Sequence, residues 1–208
     1  GEGEGECLSL VETGGAPEAG ATEGLINVAF ASRGGVAFAH DVLDGFAVAA
    51  LNDGSPGSWG DVFIGGGTSW ADDTFIGVAF ADFYEVSRVA VFSVPGWSRP
   101  IPGFELQYTT AFAPDETTPD RDWTTVCPWT AISADTRQVW EFAPAWATGV
   151  RLVMPGGGPS CTYELEGYAS PWGGPGMSAG GAAALAVLAA GLGLGGVSRR
   201  ARAKRNKE

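Results

Sequence analysis

From Leu25 onward the chain is broken into short runs rich in Val, Ile, Phe, Tyr and Thr, each bounded by Gly, Pro, Asp or Asn. In Arg88-Val89-Ala90-Val91-Phe92 and in Phe104-Glu105-Leu106-Gln107-Tyr108 every second residue is large and apolar. A period of two belongs to a strand with one face in a core and the other toward a surface. The runs LINVAFA, GGVAFAH, DVFIGG, TFIGVAFA, EVSRVAVFSV, GFELQYTT, WTTV, RQVWEFA, GVRLVM and CTYELEGYA follow in order, and no stretch of 25–169 keeps a long 3.6-residue apolar period. This pattern predicts an all-β domain over 24–169, a two-sheet antiparallel sandwich of about eight strands.

The flanks have a different texture. Residues 1–23 are dominated by Gly, Glu, Ala and Pro and read as a disordered linker. Residues 170–178, SPWGGPGMS, read as a second linker. Residues 179–198 carry no charge, and twenty residues at about 1.5 Å each just cross a hydrocarbon core of roughly 30 Å. They predict a C-terminal hydrophobic helix that spans or anchors to a membrane, although six Gly and seven Ala leave only four Leu and two Val as strong inserters. The basic run 199–208 then predicts a cytoplasmic tail.

Charge sharpens the division. The net charge is −12, yet six of the twelve basic residues lie between Arg199 and Lys207, which leaves six arginines against 23 acidic residues in 1–198. An acidic body excludes a nucleic-acid partner held by phosphate contacts and suits cation binding. Cys7, Cys127 and Cys161 are not at metal-ligand spacing and His40 is the one histidine, so a Cys/His zinc site is excluded. One disulfide with a thiol left over is open to the chain, with Cys127–Cys161 preferred because Cys7 lies in the linker-like arm. The nucleophile–base sets of common hydrolases are absent, and Asp72-Asp73 and the Asp120/Asp122 pair stand in Gly/Pro-rich loops where solvated acids are usual. No catalytic residue is assigned.

Several motifs occur in a familiar order. Asn27-Val28-Ala29-Phe30-Ala31 opens the domain; Leu51-Asn52-Asp53-Gly54 and Ser58-Trp59 form a loop; Phe75-Ile76-Gly77-Val78-Ala79-Phe80 leads into Tyr84-Glu85-Val86-Ser87-Arg88-Val89-Ala90-Val91. Phe104-Glu105-Leu106-Gln107-Tyr108-Thr109-Thr110, Asp122-Trp123-Thr124-Thr125-Val126, Gly149-Val150-Arg151-Leu152-Val153 and Glu164-Leu165-Glu166-Gly167-Tyr168 complete the series. The series resembles the discoidin, or coagulation-factor C-type, domains of the galactose-binding-like superfamily. Ala81-Asp82-Phe83 replaces the family's acidic D-L-G turn, and the Asn after the loop Gly is missing. The tail resembles bacterial C-terminal sorting signals, with Pro171-Trp172-Gly173-Gly174-Pro175 where the Pro-Glu-Pro box usually stands.

The resemblance implies a galactose-binding-like jelly roll with a structural Ca²⁺ beside the Asp-Gly loop. Carried over by motif, Asp53 and Glu164 supply carboxylates, Ser58 a hydroxyl, and Leu51 and Gly54 carbonyls, in keeping with the six to eight oxygens that calcium takes. It also places ligands on loops at one end of the sandwich. There Trp70 and Trp97, set among turn residues, offer aromatic faces, and His40 and Arg33 offer hydrogen bonds to hydroxyls; Trp59, Trp123 and Trp140 read as core. The expected function is an extracytoplasmic binding module at the cell surface, with a glycan or a surface or matrix component as partner. A structural envelope protein without a small-ligand site and an accessory module of a larger secreted enzyme are the alternatives.

Overall fold

The computed structural model describes residues 8–12, 24–40, 42, 45–55, 63–65, 74–93, 105–127, 137–154 and 160–171. Nine strands occur among them: β1 (Leu8–Glu12), β2 (Ile26–Asn27), β3 (Val36–Ala39), β4 (Phe63–Gly65), β5 (Thr74–Ser93), β6 (Glu105–Thr109), β7 (Trp123–Cys127), β8 (Arg137–Met154) and β9 (Ser160–Ala169). All pairings are antiparallel. The fold is the expected antiparallel β-sandwich.

Two strands organise it. β5 and β8 pair from Thr74↔Met154 to Phe92↔Arg137, with register shifts between Ala79 and Tyr84 and between Val86 and Arg88. The first half of β5 also pairs with β3, and the second half of β8 pairs with β6, which pairs with β7. The second half of β5 pairs instead with β9, and the first half of β8 with β1. One layer is therefore β3-β5-β8-β6-β7. The other is β1-β8-β5-β9, with β2 and β4 sharing the outer edge of β9.

The register shifts are where the two strands change layers, as strands at a sandwich corner do through bulges. Residues 80–83 stand against Thr148 alone, and residues 142–144 against Ser87 alone. This corrects the expected division of the runs into strands. TFIGVAFA and EVSRVAVFSV are one strand through Ala81-Asp82-Phe83, and RQVWEFA and GVRLVM are one strand through Pro144. Pro144 is exposed inside the bulge, where a missing N–H removes no paired ladder bond.

Side chains from both halves meet in one core. Ile76, Val78 and Phe80 from the start of β5 share it with Val86, Val89 and Val91 from its end, and with Trp140, Val150, Leu152 and Leu165. The linker expected over 1–23 is corrected at Leu8–Glu12. These residues form β1 and pair with Glu141 back to Arg137. The first half of β8 would otherwise be an open sheet edge, which natural sheets cover.

The outer face of the β9 layer buries a charged set. Arg137, Glu166 and Tyr168 are 6%, 1% and 0% exposed. The Arg137 guanidinium donates to Glu166 Oε2 at 2.6 and 3.0 Å and to the Tyr168 hydroxyl at 2.8 Å, and that hydroxyl donates to Glu166 at 2.9 Å. Hydrogen bonds of this kind are needed to offset the desolvation of two buried ions.

Cys127 ends β7 and Cys161 lies in β9, but the expected disulfide rests on side chains outside the described set. Two compact units are distinguished, Gly1–Trp172 and Gly173–Glu208, and the sandwich belongs to the first. No helix among the described residues is long and apolar enough to cross a membrane; segment 179–198, where such a helix is expected, and the tail 199–208 lie outside those residues.

Gly35 is fixed by a close approach of backbone. A Cβ there would lie 2.0 Å from the Ala29 carbonyl oxygen and 3.0 Å from that of Phe30. Gly35→Ala is expected to destabilise the domain by roughly 3 kcal/mol, read as a lower urea midpoint at unchanged slope. A midpoint equal to that of the parent would contradict the placement of residues 29–35.

Candidate functional site

Because β5 and β8 fold over at their bulges, all four of their ends fall at one end of the sandwich, the open end. The bulges mark the other, the bend end. β3 runs between the two: Val36 stands opposite Ala79 near the bulge, and Ala39 opposite Ile76 toward the start of β5. At about 3.3 Å per residue its four residues span roughly 13 Å.

This separates two of the expected ligand residues. His40 is exposed at the open end, where its N–H donates to the Phe75 carbonyl at 2.9 Å and its ring stacks on that of Phe75 at 5.5 Å. Arg33 is exposed at the bend end, in the 3₁₀ turn Ala31–Arg33. The next residue, Gly34, packs so closely on β5 that a Cβ would lie 2.9 Å from that of Ala81. Arg33 also acts on Tyr84, whose pKa is raised by burial and by Asp82 and lowered by Arg33. Trp70, Trp97 and Ser58 lie outside the described residues.

The Asp-Gly loop and β9 do come together. The 3₁₀ turn Val48–Leu51 seats Leu51 in the core at 0% exposure. Asn52 then fastens the loop, donating from Nδ2 to the Ala29 carbonyl at 2.8 Å and accepting the Ala31 N–H at 2.9 Å. Gly54 has φ +79°, a conformation that favours glycine. Its N–H points at the Glu164 carboxylate, 3.1 Å from Oε1 and 3.3 Å from Oε2. Asp53, exposed next door, accepts the Ser55 N–H at 2.7 Å.

Glu164 and Glu166 share one strand and one face, yet their surroundings differ. Glu166 has Arg137. Glu164 is 0% exposed and has no cationic partner among the described residues. Burial pushes its carboxyl up to about 9; the Gly54 N–H opposes the shift, and the charges of Glu166 and Asp53 add to it. A buried carboxyl group under the charge of a second carboxylate, with no counter-charge among the described residues, is donor chemistry that would suit a hard cation such as calcium. Among the described residues no group of three His, Cys, Asp or Glu side chains comes together. Carbonyls and hydroxyls would therefore complete the shell.

A second constellation lies on the outer face of the β3 layer. Phe38, Gly77, Arg151, Gln107 and Thr125 form one cross-strand row. Gly77 leaves room for the Phe38 ring, whose Cζ a Cβ would meet at 2.3 Å. The Arg151 guanidinium lies 4.4 Å over Trp123 and 5.2 Å over Phe75, donates to Gln107 Oε1 at 2.7 Å and reaches Asp120 at 2.9 Å. His40, Phe75, Arg151 and Trp123 thus form a continuous stack running from the open end. Trp123 is buried, in keeping with its expected core role, whereas Asp120 is exposed but braces Arg151 rather than standing free. The even spacing of Phe75, Gly77 and Ala79 was the one sequence signal of this face.

No protein-family description matches the sequence, and no curated protein matches it. Solved structures do match. A fucolectin from striped bass (Morone saxatilis) serum superposes with a TM-score of 0.56 at 16% identity, over 65% of this chain and 45% of that one. Allantoicase from Saccharomyces cerevisiae gives 0.55 at 12%, over 70% and 43%. Chitosan-binding module 1 of a Paenibacillus sp. IK-5 chitosanase/glucanase gives 0.51 at 21%, over 69% and 98%. The chain spans less than half the length of the fucolectin and the allantoicase. At these identities the likeness is one of fold.

The Glu164 environment makes stability depend on pH. The unfolded chain loses this proton near 4.5 and the folded chain near 9, so between those values the native state binds more protons. Stability in chelator should then fall as pH rises through the window, by up to about 1.4 kcal/mol per pH unit. Urea titrations of the parent and Glu164→Gln should show a flatter pH dependence in the variant; parallel curves would contradict the assignment.

Proposed function

We propose that this domain is a non-catalytic carbohydrate-binding module, that its ligand site is the open end, and that it works outside the cell, carried on a membrane by 179–198 with 199–208 on the cytoplasmic side. The observation that carries the reading is the gathering of strand ends beside His40. Trp70 is four residues before Thr74 and Trp97 four residues after Ser93. At about 3.5 Å per residue, chain connectivity keeps each tryptophan within roughly 14 Å of its strand end. Thr74 and Ser93 stand in facing layers, which pack about 10 Å apart. Aromatic faces and a few hydrogen-bonding groups converging at one end are what a sugar site needs. The fucolectin and the chitosan-binding module, whose names describe saccharide recognition, share the fold. Arg33, at the bend end, has no part in this site.

Calcium belongs to the same reading. Asp53 and Glu164 would hold it, with the Ser58 hydroxyl and the carbonyls of Leu51 and Gly54 completing the oxygens. Bound there, it would supply the positive charge that no described residue brings to Glu164. Asp53 and Glu164, 111 residues apart in the chain, would then be joined through one ion. The single histidine and the lack of a nucleophile–base set support a binding role rather than a catalytic one.

A glycan array followed by calorimetry tests the ligand. Binding that is lost in His40→Ala and Trp97→Ala, at unchanged melting temperature, supports the site; an array blank throughout contradicts it. Calcium at about a hundred times its Kd should add about 2.7 kcal/mol of stability over chelator, and Asp53→Asn should remove most of that gain. Equal melting curves in calcium and chelator would contradict the metal.

A further inference from the structure

The large apolar side chains most exposed among the described residues are Phe112, at 98%, and Val36, at 63%. Both lie at the bend end. Val36 stands opposite Ala79, the last paired residue before the β5 bulge. Phe112 follows β6, whose last residue, Thr109, is paired with Gly149. The Thr148 hydroxyl donates to the Ala111 carbonyl at 2.5 Å and ties this loop to the residue facing the bulge. The half-buried rings of Phe83 and Trp146 stack at the same end, 5.3 Å apart.

The chain also leaves the sandwich here, and β1 begins here, with Leu8 opposite Glu141. Ile26 pairs with Ala169, and Ala169 with Val86. Pro171 is eight residues from Ala179, the first residue of the predicted anchor segment. At about 3.5 Å per residue, that tether is at most roughly 28 Å long. Apolar side chains are thus exposed at the end from which the predicted anchor departs.

Resting on the proposed anchoring by 179–198, we infer that the bend end lies against the outer surface of the bilayer that holds this segment, with Phe112 and Val36 at the headgroup–acyl boundary and the open end directed away. Aromatic and apolar side chains favour that boundary. The lipid surface that fits is zwitterionic: residues 1–198 carry 23 acids against six arginines, and anionic headgroups repel such a body. Two side chains make a weak contact by themselves, but a short tether gives them a high effective concentration at the surface.

The test uses the full chain reconstituted in phosphatidylcholine vesicles. Phe112→Trp adds an indole where almost no packing can be lost. Its emission, taken as the difference from the parent, should shift to the blue on reconstitution and lose intensity when the acyl chains are brominated near the headgroup. A chain that floats with the vesicles while the added emission stays red-shifted and unquenched overturns the orientation and leaves the anchor standing. A chain that does not float overturns the anchor and this inference with it. A blue shift already present without lipid, and relieved by dilution, assigns the surface to a second copy of the chain and overturns the lipid.

Discussion

Everything in this fold depends on one continuous antiparallel pairing. β5 and β8 stay hydrogen-bonded from Thr74↔Met154 to Phe92↔Arg137 while passing from one layer of the sandwich to the other. The two layers therefore share their central strands. The pairing holds because the strands change layers at adjacent bulges, Phe80–Phe83 in one and Phe142–Pro144 in the other. The same fold-over gives the molecule two unlike ends. One collects strand ends, His40 and the departures toward Trp70 and Trp97. The other collects Arg33, the Phe83–Trp146 stack, the start of β1 and the exit of the chain.

Electrostatics add a second distinction. On β9, Glu166 and Glu164 are both buried, two residues apart on one face. Arg137 and the Tyr168 hydroxyl hold Glu166 as an ion pair. Among the described residues Glu164 has only the Gly54 N–H, and its carboxyl is pushed up to about 9. In a buried pair the partner's charge and hydrogen bonds offset the desolvation of the carboxylate, whereas an uncompensated carboxylate is a liability unless something positive joins it. That contrast, beside the motif, is why Glu164 with Asp53 is proposed as the cation site.

Much of the fold was legible in the chain. The alternation at Val89 and Val91 and at Phe104, Leu106 and Tyr108 announces half-buried strands, and the buried Trp123 and Trp140 follow from strand context. The continuity of β5 and β8 was not legible. Bulged residues break a period of two, so Ala81-Asp82-Phe83 reads as a turn and Pro144 as a strand end. β1 was missed because nothing in its Gly- and Glu-rich surroundings signals that a distant strand, β8, needs its edge covered. The Asp53–Glu164 approach was visible only through the order of motifs. Arg33 and His40 look like neighbours in sequence, and only the direction of β3 shows that they belong to opposite ends. Arg151 resembles a solvated strand residue until the pairing of Gly77 with it sets it between Phe75 and Trp123.

Native-state hydrogen exchange tests the central pairing most directly. If β5 and β8 act as one unit, amides in both halves exchange most slowly and share one opening free energy: Ile76 and Val78 with Val150 and Leu152, and Val89 and Val91 with Val139 and Trp140. That common value should equal the global unfolding free energy. Separate openings for the two halves, with 86–93 and 137–141 released at lower cost than 74–79 and 149–154, would contradict the account.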